Sequence, residues 1–272
     1  YCIIPYARGP IRSLSVPEAE EQCRRLGEEG YREVVLTGIE ISSWGAERRD
    51  GSGLIDLIEA VCRALPEGTR VRLGSLEPRT ITADFCRRAA VLPNLCPHFH
   101  LSMQSGCDSV LKRMNRKYDT ERYYESVKLL REYFDRPGIT TDLIVGFPGE
   151  TEEEFQATLA FVEKCAFSAM HIFPYSRRTG TPAAKMPDQI PNAVKEERAH
   201  RAGALARHLE EVYLDSWVGE TLPVLFEEEK EGLWRGHAPN YVEVFARGED
   251  LHNVERPVKI LRREGSSLIG QV

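Results

Sequence analysis

The feature that most restricts what this chain can become is an alternation: from Ser15 to Pro174, short apolar or β-branched runs take turns with longer stretches of helical periodicity. The runs fall at 34–37, 71–75, 98–103, 140–145 and 169–174. Between them, residues 54–65, 82–90, 120–134 and 152–164 are amphipathic, the last with Phe155, Leu159 and Val162 at helical spacing. A further helix opens the series, announced by the capping-box pair Ser15 and Glu18 and an apolar stripe of Ala19, Cys23 and Leu26. Repeated βα order predicts an α/β fold with five parallel strands, either an open doubly wound sheet or an arc of barrel; periodicity alone leaves both open.

In either architecture, chemistry belongs at the carboxyl ends of the strands. Those ends carry polar, glycine-rich loops: Gly38-Ile39-Glu40, Ser75-Leu76-Glu77-Pro78, Gln104-Ser105-Gly106, Gly146-Phe147-Pro148-Gly149-Glu150-Thr151 and Tyr175-Ser176-Arg177-Arg178. Each has a plainer account. Thr151 and Glu154 form a cap for the next helix, Glu40 and Glu77 are surface carboxylates, and Arg177 and Arg178 are a solvated face. Placement of all five just beyond strand ends favours a shared site. The fourth loop lacks the Gly-Lys-Ser/Thr ending of a phosphate loop, which argues against nucleotide hydrolysis. Cys96-Pro97-His98 with His100 invites a metal reading, but strand alternation and the lack of a second Cys-His pair favour structural histidines.

After Pro191 a helical stretch runs to about Trp217, with Val194, Ala202, Leu205, Leu209 and Val212 roughly on one face. Beyond it the pattern changes to short β runs at 222–226, 242–246 and 258–261 separated by turn residues, which predicts a small β-barrel. The expected division is 1–216 and 217–272. Composition agrees: 272 residues, 42% hydrophobic and 29% charged, suffice for a core without disulfide staples. A net charge of −6 argues against gripping nucleic acid by bulk electrostatics. No long apolar run or signal peptide is present, so no membrane partner is expected and the cytoplasm is the expected location. Seven cysteines, an odd number without regular spacing, fit a reducing compartment, and Cys23, Cys62 and Cys86 on apolar helix faces read as buried thiols.

The opening Tyr1-Cys2-Ile3-Ile4-Pro5-Tyr6-Ala7-Arg8-Gly9-Pro10-Ile11-Arg12-Ser13 resembles the segment that closes the C-x3-C-x-aromatic-C motif of radical S-adenosylmethionine enzymes. Further matches follow in that family's order: Leu36-Thr37-Gly38-Ile39-Glu40, Leu73-Gly74-Ser75-Leu76-Glu77-Pro78, His98 to Gly106, Lys112-Arg113-Met114-Asn115-Arg116-Lys117-Tyr118, Asp142 to Thr151 and His171 to Ala183. Cys107 and Met103 depart from the usual Ser and Leu. The whole resembles the methylthiotransferases, and Cys2-Ile3-Ile4-Pro5-Tyr6-Ala7-Arg8-Gly9 with Thr37-Gly38-Ile39 looks like the branch acting on threonylcarbamoyladenosine at tRNA position 37. The terminal module resembles a TRAM barrel, with Trp234-Arg235-Gly236-His237-Ala238-Pro239-Asn240-Tyr241 at its signature turn.

The resemblance implies a partial TIM-type barrel followed by the TRAM barrel. It implies a 4Fe–4S cluster with S-adenosylmethionine, and a second, auxiliary 4Fe–4S cluster in an N-terminal domain expected upstream of Tyr1. In that family a reduced cluster cleaves S-adenosylmethionine to a 5'-deoxyadenosyl radical that takes hydrogen from C2 of the adenine. Carried onto this chain, Cys2 is the third cluster ligand, two others being expected upstream, and Tyr1 flanks the adenine of the cofactor. Glu40, Ser75 and Glu77 are candidates for the cofactor's polar groups, and Gln104, Arg116 and Asp142 for its carboxylate or ribose. Phe173 and Tyr175 would wall the adenine pocket. RNA contacts fall to Arg8, Arg12, Arg177 and Arg178, and in the barrel to Trp234, Arg235, Asn240 and Tyr241. The implied partners are a tRNA anticodon loop and an electron donor. Alternatives are the ribosomal-protein aspartate and isopentenyladenosine branches and, from another class, a catalytically silent tRNA-binding protein.

Overall fold

The computed structural model describes residues 1–48 and 50–272. In chain order the elements are α1 (Ile4–Arg8), α2 (Val16–Glu28), β1 (Glu33–Leu36), α3 (Leu54–Ala64), β2 (Arg70–Leu73), α4 (Ala83–Ala89), β3 (His98–His100), α5 (Asp108–Arg113), α6 (Thr120–Tyr133), β4 (Gly138–Val145), α7 (Glu152–Cys165), β5 (Ala169–Pro174) and α8 (Asn192–Asp215). Five more strands follow: β6 (Thr221–Lys230), β7 (Leu233–His237), β8 (Glu243–Arg247), β9 (Val254–Glu264) and β10 (Ser267–Gln271).

The first five strands are parallel and lie side by side in sequence order. β1 pairs with β2, β3 with β4 and β4 with β5, and parallel bridges Val71–Leu95 and Leu76–Leu101 join the two groups. A doubly wound sheet reverses its strand order at a switch point. Here there is no reversal, so the sheet is an arc of βα barrel. Helices α2, α3, α4, α6 and α7 cover its convex side, where Ile58, Val61, Val71, Phe99, Leu101, Tyr123, Val127, Ile139, Leu143 and Phe167 are almost wholly buried. The capping boxes expected at Ser15 and at Thr151 both form, the latter with Glu154.

The last five strands close on themselves in the order β10-β8-β7-β6-β9, a barrel filled by Val224, Phe226, Val244, Ala246, Val258, Ile260 and Leu268. Two of its strands escaped the sequence analysis. β7 falls in the segment that the resemblance set at a turn, and its Gly236 is required in the strand: a Cβ there would stand 2.3 Å from the carbonyl oxygen of Leu225 on β6. β10 is short and opens on Ser267, directly after Gly265-Ser266.

The barrel docks under the amino ends of the arc. Arg70 and Arg72 of β2, both on its inner face, are buried to 7% and 3% exposure. Glu33 of β1 takes both, at 2.6 Å from Arg70 Nε and 2.7 Å from Arg72 Nε. Their remaining guanidinium hydrogens go to the barrel: Arg70 donates to the His237 carbonyl at 2.8 Å and Arg72 to the Pro239 carbonyl at 2.8 Å. The Tyr241 ring lies on the Arg72 guanidinium at 4.7 Å and stacks on His98 at 4.7 Å. Contact is tight enough that a Cβ on Gly138, at the start of β4, would reach within 2.2 Å of the Asn240 carbonyl.

Helix α8 differs from expectation. Val194 and Val212 are exposed, while the expected Ala202, Leu205 and Leu209 do turn inward, joined by Lys195, Arg198, Ala206 and Leu214. Lys195 donates to the Tyr175 carbonyl at 3.1 Å, and Arg198 pairs with Glu150 at 2.7 Å, both wholly within the protein. The helix therefore straps the loop after β4 to the end of β5 by buried charges, a face that hydropathy cannot flag. Among the described residues no helix is long and apolar enough to cross a membrane.

Burial alone raises the Glu33 pKa, but the hydrogen bonds and charges of Arg72 and Arg70 outweigh it and hold the carboxyl below its usual range. A depressed folded-state pKa stabilises fully above the unfolded value and is lost as pH falls through the folded one. Glu33→Gln should therefore destabilise the fold at neutral pH by about 3 kcal/mol. The gap from wild type should narrow as the pH drops below about 4, as read by urea melts at a series of pH values; a gap independent of pH contradicts the ion-pair account.

Candidate functional site

The carboxyl ends of β1 and β2 and the segment before α2 enclose a cleft of about 800 Å³. Its walls include Cys2, Arg8 and Arg12 from the first segment, Thr37, Gly38 and Glu40 after β1, and Ser75 and Glu77 after β2, with Ser102 and Arg116 on the far side. Parallel pairing sets this geometry: Leu36 opposes Leu73, so both chains leave the sheet at the same height. Glu77 is fixed at its backbone nitrogen by Ser42 Oγ at 2.8 Å, and its carboxylate meets Arg79 at 3.1 Å and Arg116 at 3.4 Å.

Arg116 is the pivot. Its Nη2 donates to the Tyr1 hydroxyl at 2.5 Å, and its Nε is buried without a hydrogen-bond partner in the protein. Tyr1 packs edge-on to Phe147 at 5.9 Å, and Phe147 to Tyr175 at 5.3 Å. Burial pushes the Tyr1 phenol up, Arg116 pulls it back, and the Asp142 carboxylate lies near enough to add a smaller upward push. A guanidinium left with an unpaired buried hydrogen beside carboxylates and a polar cleft fits a ligand that brings its own oxygens, as the carboxylate or ribose of S-adenosylmethionine would.

Placement separates the expected residues into groups. Cys2, Glu40, Ser75, Glu77, Arg116, Arg8 and Arg12 share the cleft. Gln104 is nearly buried at the end of β3, with its backbone in the left-handed region (φ 66°) and bridged to β4 through Asp142 and Ile144. Asp142 and Phe173 face the hollow of the arc lower down, and Phe173 is half exposed. Tyr175 is turned instead into the small core of Val110, Met114, Phe147 and Ala183. Arg178 is exposed; Arg177 is exposed too and spends Nε on the Ala184 carbonyl at 2.8 Å. The loop at Gly146–Thr151 is packed rather than open: Phe147 is wholly buried, Glu150 is held by Arg198, and Glu154 takes Arg113 and is drawn down to about 2, chiefly by that hydrogen bond.

The barrel residues are engaged within the chain, although Tyr241 keeps half of its ring exposed. Asn240 is buried and donates to the Tyr213 hydroxyl at 3.2 Å. Tyr241 is the stacking plate between His98 and His237, Arg235 is paired with Glu243 at 2.5 Å and Glu228 at 2.7 Å, and Trp234 donates to the Gly248 carbonyl. Their side chains serve the barrel and its docking. Inside the arc, Thr140, which has no sequence signal of its own, joins His98 and His100, whose imidazoles both bond its hydroxyl at 3.2 and 3.0 Å. Burial first, then Arg72 and His100, push the His98 pKa down to about 3, so it is neutral at physiological pH. Among the described residues no three His, Cys, Asp or Glu side chains converge as metal ligands.

A family model described as the radical SAM superfamily matches residues 1–162. The chain belongs to the radical SAM superfamily. Its enzymes use S-adenosylmethionine and a 4Fe–4S cluster. The threonylcarbamoyladenosine tRNA methylthiotransferase MtaB of Bacillus subtilis is 40% identical over 96% of this chain and 59% of its own length. The tRNA-2-methylthio-N6-dimethylallyladenosine synthase of Acetivibrio thermocellus is also 40% identical, over 84% of this chain and 47% of its own. The chain thus spans about half the length of these curated relatives. Among solved structures, coproporphyrinogen III oxidase (HemN) from Escherichia coli, a radical SAM enzyme, superposes with a TM-score of 0.55 at 13% identity, covering 81% of this chain and 58% of that one; the likeness is one of fold.

The donor set tests the cofactors separately. The cleft's carboxylates, hydroxyl and unpaired guanidinium fit S-adenosylmethionine. A 4Fe–4S cluster is held by several thiolates, and Cys2 is the single thiol lining the cleft, so the described residues do not hold the cluster by themselves. The other cysteines are elsewhere: Cys23, Cys62, Cys86, Cys96 and Cys165 are buried, and burial pushes Cys62 and Cys165 up to about 12 and Cys86 and Cys96 to about 11. Iodoacetamide applied to the folded, cluster-free protein should label Cys2 and the half-exposed Cys107 and leave the other five until denaturant is added. Peptide mass spectrometry reads this; rapid native labelling of Cys62 or Cys165 contradicts the packing.

Proposed function

We propose that this chain is the S-adenosylmethionine-binding and TRAM portion of a tRNA methylthiotransferase that adds a 2-methylthio group to N6-threonylcarbamoyladenosine beside the anticodon. The observation that carries the reading is the coincidence of the cleft with the identity to MtaB: Cys2, Glu40, Ser75, Glu77 and Arg116, separated by up to 114 positions in sequence order, gather at one rim, and 40% identity extends over 96% of the chain. In this reading the enzyme works as two units, 1–216 and 217–272, together with an N-terminal domain bearing the auxiliary 4Fe–4S cluster, an external electron donor and two further cysteines beside Cys2. It acts in the cytoplasm.

Within the chain, Arg116 takes the cofactor's carboxylate or ribose, Ser75, Glu77 and Glu40 its polar groups, and Tyr1 its adenine. Arg8 and Arg12 at the cleft mouth and Arg177 and Arg178 on the exposed loop after β5 are the cations offered to RNA phosphate. That assignment suits a chain with net charge −6, because four local arginines do not depend on a basic surface. The barrel contributes by position, since Asn240 and Tyr241 are engaged in docking. A second reading, action on isopentenyl-type adenosine, is supported by the equal identity to the Acetivibrio synthase.

Nucleoside mass spectrometry of tRNA from cells lacking the gene separates the two. Disappearance of 2-methylthio-threonylcarbamoyladenosine is expected; its persistence overturns the first reading, and disappearance of the isopentenyl counterpart selects the second. For the cofactor, Arg116→Ala in the full-length, cluster-reconstituted enzyme should weaken S-adenosylmethionine at least about tenfold by equilibrium dialysis. An unchanged Kd removes Arg116 from the cofactor's contacts.

A further inference from the structure

The concave face of the arc carries a second set of polar groups, below the cleft and apart from its walls. On β4, Ile139, Thr141, Leu143 and Val145 are 0–1% exposed beneath the helices, so Thr140, Asp142 and Ile144 point the other way, into the hollow. Parallel neighbours share a face, and the register sets Asp142 beside His171 and Ile144 beside Phe173. His100 is committed on both sides, Nδ1 to Thr140 Oγ1 at 3.0 Å and Nε2 to Asp142 Oδ2 at 3.4 Å. His171 is not: among the described residues no side-chain hydrogen bond reaches its ring, which stands 6.4 Å from the His100 ring and 6.4 Å from that of Phe173. Phe173 itself is 50% exposed, a large flat apolar surface with nothing on it.

We propose that this face seats the target nucleobase, Phe173 lying against the purine, and that His171 selects a polar, carboxylate-bearing N6 substituent over a hydrocarbon one. The proposal rests on the functional reading above and deepens it. A threonylcarbamoyl group brings a urea, a hydroxyl and a carboxylate; an isopentenyl group brings none of these. The His171 ring, exposed in the free protein, gains a charge-assisted hydrogen bond when the first covers it. Against the second it is left desolvated and unpaired, the asymmetry that lets a hydrogen-bonding site reject an analogue lacking the partner. The His100–Asp142 pair stiffens the neighbouring wall, and the floor beneath is closed by Tyr241 on His98. A hollow built for an isopentenyl chain would line this face with hydrocarbon, yet its two free faces are an imidazole and a phenyl ring.

The test uses the full-length, reconstituted enzyme and anticodon stem-loop RNAs carrying threonylcarbamoyladenosine, isopentenyladenosine or plain adenosine. His171→Leu should raise KM for the threonylcarbamoyl RNA about tenfold or more, with a smaller change in kcat, and should leave isopentenyl RNA binding equal or tighter. His171→Gln, which keeps a donor, should recover most of the loss, and Phe173→Leu should weaken all three RNAs. Circular dichroism and S-adenosylmethionine affinity matching wild type show that the variants fold. Wild-type preference for threonylcarbamoyl RNA together with an unchanged KM in His171→Leu overturns the seat and leaves the functional reading intact. Wild-type preference for isopentenyl RNA overturns the functional reading and the selectivity assigned to His171 with it.

Discussion

Two arginines on one short strand organise the molecule. Arg70 and Arg72 point into the lower hollow of the arc, where both are almost fully buried. A buried guanidinium with unmet hydrogens costs several kcal/mol, so their partners must come from elsewhere in the chain. Glu33 supplies one carboxylate for both, and the barrel adds backbone carbonyls at His237 and Pro239 and the Glu255 carboxylate, all from more than 160 residues away. The terminal barrel is thus the counterpart that lets an arc with a charged floor stay closed at that end.

Closing the floor assigns the rim. With the amino ends of the strands covered by Ala238 to Tyr241, approach to the hollow is left to the carboxyl ends and the open side, where the cleft at Glu40, Glu77 and Arg116 lies. The strap formed by α8 works on the same principle at the opposite end. Lys195 and Arg198 hold the end of β5 and the Gly146–Thr151 loop together, leaving the loops after β1 and β2 as the walls that meet a ligand.

Much of the arc was legible because its signals are local. Capping residues at Ser15 and Thr151, β-branched runs and helical spacing depend on near neighbours alone, and the strands they indicated lie within a few residues of those formed. Sequential strand order, by contrast, is a property of the whole sheet, and only pairing distinguishes the arc from a doubly wound layer. The cleft was legible for the same reason as the fold, since strand ends are local and parallel pairing brings them level. What escaped depends on docking. Asn240 and Tyr241, following Pro239 in a turn, have the composition of exposed residues, and their burial or stacking comes from Gly138, His98 and Arg72 far upstream. Nothing local in the sequence marks Lys195 and Arg198 as buried, because their carbonyl and carboxylate partners lie in distant loops. Tyr175, which the resemblance set beside Phe173, lies past the last ladder position and turns into a separate core.

The central claim is a division of labour, with cofactor at the rim and structural closure at the floor. Hydrogen–deuterium exchange of the full-length, reconstituted enzyme with and without S-adenosylmethionine tests it most directly. Slower exchange on cofactor addition at 37–41 and 74–77, with 238–241 unaltered, is the result this account expects. Protection confined to 238–241, or none at the ends of β1 and β2, contradicts it.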